Sequence, residues 1–183
     1  MSLYQITQWC FFGFGVYNLI YLLWKHIAYL KNKINLQAID KAATATLILA
    51  GSIYTLTFVT DWIFIFIQFE SEESQHLFSR LKGPYGFSLY AQQLSYIFLS
   101  LLFLLKFVRK ISLLRLIFGC FLMLNFERIV IFTTAIHRDY LPSAWTMYQP
   151  FFGAFIIDWL LKFTIFCSFT TILYFILNFK NNR

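Results

Sequence analysis

Residues 154–179 read AFIIDWLLKFTIFCSFTTILYFILNF, and only two of those side chains, Asp158 and Lys162, carry charge. A hydrocarbon core about 30 Å thick is crossed by about 20 helical residues, so this run is read as a transmembrane helix. Four more runs of the same kind lie upstream, at residues 8–30, 43–69, 88–108 and 113–136. The expected fold is therefore an all-α integral membrane protein of five transmembrane helices, forming a single membrane domain over residues 1–183. Of the 183 residues, 60% are hydrophobic and 13% charged, and the mean hydropathy is +0.66. A soluble domain would carry about twice that charge. Only short connectors remain between the runs, which excludes a separate soluble domain.

The net charge of +7 does not point to nucleic acid, because the cations stand at the ends of apolar runs and line no aromatic-studded groove. They read as orientation charge. Lys25, Lys31, Lys33, Lys41, Lys106, Arg109, Lys110, Arg115, Lys180 and Arg183 fall on one side of the five-span layout, and Arg80, Lys82 and Arg138 on the other. The bias puts the N-terminus outside and the C-terminus in the cytoplasm. Residues 1–8 hold no basic residue and no small-residue cleavage site, so the first run is expected to be a retained helix. Cys10, Cys120 and Cys167 each sit inside an apolar run without metal-type spacing, and read as packing thiols.

Charge within a bilayer costs at least ~2.5–3.5 kcal/mol at its centre, so such residues face a partner or a wet cavity. Asp61 in the second span and Glu127-Arg128 in the fourth are expected at similar depth in the outer half. Glu127 and Arg128 are adjacent and point roughly 100° apart, so they do not neutralise each other. Arg128 needs an acid from another helix, for which Asp61 is the candidate. A buried ion pair fixing the bundle and a proton path through Asp61 or Glu127 are both compatible with these residues. Asp158 and Lys162, four apart, form an interfacial pair on one helical face, with Lys162 snorkelling outward.

The outer connector His137-Arg138-Asp139-Tyr140-Leu141-Pro142-Ser143-Ala144-Trp145 is dense in chemistry. His137, Arg138 and Asp139 suit a quinone headgroup, a carboxylate or a partner's loop, and Tyr140 and Trp145 suit the aromatic belt at a membrane surface. No zinc spacing, nucleophile elbow or phosphate loop occurs, which leaves a hydrolase or nucleotide enzyme without support.

Phe126-Glu127-Arg128-Ile129-Val130-Ile131, followed by His137 to Tyr148, resembles the signature "FERFVII…HRDYLPSSWxMY" of the NrfD-like, or polysulfide-reductase membrane subunit, family, as found in bacterial alternative complex III. Upstream and in order, Arg80-Leu81-Lys82-Gly83-Pro84-Tyr85 is similar to the family's "NRxxGPYWW", with Phe87 in place of the second tryptophan. Residues 39–43, leading on to Ala50-Gly51 and Asp61, resemble its "HLDNMAK…TGLIVGYAYxxE", with Gln37 or Ala38 at the histidine and Lys41 at the asparagine. The resemblance covers roughly residues 35–179. It implies one four-helix NrfD-type bundle, corresponding to the family's C-terminal half, with the first span as a helix preceding it.

The implied function is that of a membrane subunit of a quinol-linked respiratory electron-transfer complex in the bacterial inner membrane. Asp61, Glu127 and Arg128 would form a proton path or buried ion pair. His137, Arg138, Asp139, Tyr140 and Trp145 would lie near quinone or dock a periplasmic subunit. Haem and iron–sulfur clusters would belong to partner subunits, with no cofactor ligated by this chain and quinone or quinol as the associated small molecule. A structural or assembly subunit without chemistry, and a proton- or ion-conducting membrane protein, are the alternatives.

Overall fold

A computed structural model of the chain describes residues 2–25, 36–67, 75, 78–79, 82–83, 86–124 and 152–181. Its elements are α1 (Leu3–Lys25), α2 (Leu36–Ile67), α3 (Gly86–Leu102), the single-turn α4 (Lys106–Lys110), α5 (Ser112–Met123) and α6 (Phe152–Asn181). Three of them, α1, α2 and α6, are long and apolar enough to cross a membrane, while α3 and α5 contain shorter apolar helical stretches. This is the fold of a helical membrane protein.

α1 opens with a reciprocal cap: the Gln5 amide donates to the Ser2 hydroxyl at 3.3 Å, and the Ser2 amide donates to Gln5 Oε1 at 3.2 Å. Two orphan donors of the first turn are thereby satisfied. That cap starts the helix at Leu3 and not near residue 8. The 32 residues of α2 span about 48 Å, more than a hydrocarbon core requires. Its hydroxyls are satisfied within the helix. Thr44, Ser52 and Thr55 donate to the carbonyls of Asp40, Ile48 and Gly51 at 2.8, 2.9 and 2.7 Å. Such back-bonding lets a helix rich in Ser and Thr face hydrocarbon without an unmet donor.

α1 is the hub of the bundle and packs against α2, α5 and α6, while α3 lies on α2 and α5. Among the described residues the helix expected to precede the four-helix bundle is the central one. Glycine explains the closeness. A side chain on Gly13 would run into Cβ and Cγ of Phe166 on α6, and one on Gly15 would lie 2.7 Å from the Gly119 carbonyl on α5. Small residues at such crossings let helix backbones approach in lipid, where no hydrophobic force drives helices together.

Aromatic rings fill the centre. Phe11 meets Tyr54 edge-on at 5.5 Å and lies 4.9 Å from Tyr96, and Phe14 meets Phe103 edge-on at 4.9 Å. Edge-to-face contacts of this kind add about 0.5–1.5 kcal/mol each beyond burial. The outer faces remain apolar: Ile157, Leu160, Ile172, Phe175 and Ile176 on α6 are all more than half exposed. A bilayer is the solvent such a surface requires. Cys10 is buried and Cys120 and Cys167 half-buried, all as free thiols.

The third expected span ends early, because α3 stops at Leu102 and not at residue 108. The amides of Leu104 and Leu105 bond three residues back, to Leu101 and Leu102. This tight turn keeps Lys106, Arg109 and Lys110 out of the apolar helix. The described part of the fourth span ends at Leu124.

Candidate functional site

The principal polar site lies where the basic end of the bundle closes, and it is built by α1, α2 and α5. Arg115 stands in the first turn of α5 and is only 2% exposed. Its Nη1 donates to Asp40 Oδ2 at 3.0 Å and its Nη2 to Asp40 Oδ1, a two-pronged fork on one carboxylate. Planar guanidinium matches carboxylate in this geometry, which makes it the strongest common ion-pair arrangement. Nε of Arg115 donates to Asn18 Oδ1, and Asn18 Nδ2 returns a bond to the Arg115 carbonyl at 2.6 Å. Tyr17 donates from its hydroxyl to Asp40 Oδ1 at 3.3 Å. Tyr21 closes the site, its ring lying 4.3 Å from Arg115 Cζ.

Three helices are tied by this network, and its groups are matched to one another. The acceptors of Asp40 are taken by Arg115 and Tyr17. Its chemistry is that of a lock. Gly119, one turn along α5, leaves room for Asn18: a side chain there would lie 2.5 Å from Asn18 Nδ2. Arg115, expected among the orientation charges, is buried near the start of α5, and Asp40, just upstream of the expected second span, lies inside α2; the two are paired. The overlooked signal was Tyr17, Asn18 and Tyr21 on one flank of the first helix, polar groups at one level of an apolar span.

A second pair lies on α6. Lys162 Nζ bonds Asp158 Oδ2 at 2.6 Å, as the four-residue spacing implied. Lys162 also meets α1. Its ammonium lies 5.4 Å from the Phe12 ring of α1, and Phe12 also packs on Trp159 at 5.4 Å. The side chain of Lys162 is 16% exposed and that of Asp158 37%. Asp158→Ala leaves the enclosed ammonium unpaired and is expected to destabilise by about 1–2 kcal/mol, between the values for exposed and buried pairs. Adding Lys162→Met should recover part of that loss in thermal unfolding in detergent.

Asp61 is exposed on the C-terminal half of α2, and its carboxylate acts on the Tyr4 hydroxyl of α1. Glu127, Arg128, His137, Arg138, Asp139, Tyr140 and Trp145 lie outside the described residues. Among the described residues no group of three His, Cys, Asp or Glu side chains is placed to hold a metal ion. Comparison of the chain with protein-family models, with curated proteins and with solved structures found no match, so its function is read from its own residues.

Proposed function

We propose that this chain is a membrane subunit of a quinol-linked respiratory electron-transfer complex, of the NrfD-like kind found in alternative complex III. The observation that carries the proposal is the resemblance of residues 126–131 and 137–148 to that family's signature. In this reading five helices cross a bacterial inner membrane, with the N-terminus outside and the C-terminus in the cytoplasm. The connector bearing His137, Arg138, Asp139, Tyr140 and Trp145 faces the periplasm, near quinone or a docked subunit carrying haem or iron–sulfur clusters. Asp61 with Glu127 and Arg128 forms a proton path or an ion pair. The apolar helices and the position of Asp61 on one of them support this arrangement.

A structural or assembly subunit is the second reading, favoured by one feature of the bundle. The buried Arg115 is fully engaged by Asp40 and Asn18, which suits a scaffold. Extraction of the native membrane complex in mild detergent tests the first reading. Co-purification with haem or iron–sulfur subunits and bound quinone is expected; a chain that runs alone, without quinone or redox partners, defeats it. Asp61→Asn and Glu127→Gln then separate the two. Impaired quinol-dependent proton movement marks a relay, and unchanged turnover marks a scaffold.

A further inference from the structure

The turn between α3 and α5 places charge and hydrocarbon side by side. α4 carries Lys106, Arg109 and Lys110, at i, i+3 and i+4, on one side of a single turn. Val108 is buried in the core. Flanking the cations, Leu104, Leu105, Phe107 and Leu113 are each more than half exposed.

Among the described residues the three cations have no counter-ion within reach: no carboxylate pairs with any of them, and Asp40, the acid at this end of the bundle, is held by Arg115. Arg109 donates through Nη2 to the Leu104 carbonyl at 3.2 Å, while its Nε is shielded from solvent without an acceptor. None of the described residues supplies the compensating anion, and a group that does must tolerate an apolar rim. A soluble anion would meet the charges and leave the rim unmatched, and a zwitterionic lipid would do the reverse.

We propose that this turn binds an anionic phospholipid, its phosphate on Lys106, Arg109 and Lys110 and its acyl chains along Leu104, Leu105, Phe107 and Leu113. Each cation near an anionic membrane surface contributes roughly fivefold in affinity. The test uses the full chain, delipidated in detergent and offered phosphatidylglycerol or phosphatidylcholine, with bound lipid counted by mass spectrometry. Retention of phosphatidylglycerol by about tenfold or more over phosphatidylcholine is expected. Excess inorganic phosphate should leave it in place.

Lys106→Gln with Arg109→Gln and Lys110→Gln should abolish the preference. Lys41→Gln, at an exposed position on α2 near the same end, should preserve it. Equal retention of the two lipids by the native chain overturns the proposal without recourse to any variant. So does displacement by inorganic phosphate, or a loss in Lys41→Gln equal to that of the triple variant.

Discussion

Arg115→Ala is expected to lower the unfolding free energy of the bundle by about 3–5 kcal/mol, the cost of removing one partner from a buried ion pair. The loss has three parts. Asp40 keeps a carboxylate that is 19% exposed and loses its two-pronged donor. Asn18, 1% exposed, loses the Nε donor to its side-chain oxygen. Tyr21 loses the cation over its ring.

Asp40→Ala should cost a similar amount, because it strands the guanidinium. The double variant should cost much less than the sum of the two, since neither charge is then left unmatched. Apolar replacement of both partners, Asp40→Leu with Arg115→Met, is expected to recover most of the stability, as it does for other buried pairs. Thermal or denaturant unfolding of the four variants in one detergent measures the coupling. An Arg115→Ala protein within about 0.5 kcal/mol of the native chain would mean that the network ties nothing together.

The second large effect is expected at Gly13. An added Cβ would collide with Phe166 Cβ and lie 2.8 Å from its Cγ. Phe166 Cβ is bonded directly to the backbone of α6, so no rotation of the ring clears the space. The two helices must part. Gly13→Ala is therefore expected to cost about 1–3 kcal/mol, and Gly13→Leu to exceed that range, because the larger side chain forces a wider separation. Parting α1 from α6 also loosens the Phe14–Phe166 contact and the seat of Lys162 on Phe12. Phe166→Ala keeps the colliding Cβ but removes the ring, so it should relieve only the part of the Gly13→Leu cost that arises beyond the added Cβ, although Phe166→Ala alone creates a cavity costing about 3–5 kcal/mol. Sub-additive destabilisation of that pair, read by the same unfolding measurement, is the expected signature.

How much of this was legible differs from residue to residue. Asp158 and Lys162 were paired correctly because their partnership is local: four residues on one helix always share a face. The contact of Lys162 with Phe12 was not legible, because Phe12 comes from another helix and nothing in the spacing of α6 announces it. Arg115 and Asp40 stand far apart in the chain. Each has an ordinary explanation as a charge near the end of a span, and only the packing of α2 and α5 on α1 makes them one unit. The early end of α3 was hidden for a related reason. Residues 103–108 are mostly apolar, and hydropathy alone does not distinguish a continuing helix from a turn closed by three-residue hydrogen bonds.

By itself the sequence determined that the chain is helical, apolar and suited to a membrane, because those properties depend on the length and chemistry of each run taken singly. It also determined the Asp158–Lys162 pair. Only the tertiary structure decided that the first helix is the hub, that Gly13 and Gly15 set its distance from its neighbours, and that Arg115 is locked to Asp40 and Asn18. Those are relations between distant segments. A helix in lipid satisfies its own backbone wherever it lies, so its partners are chosen by glycine contacts, fitted rings and buried charges that meet only after the helices have packed.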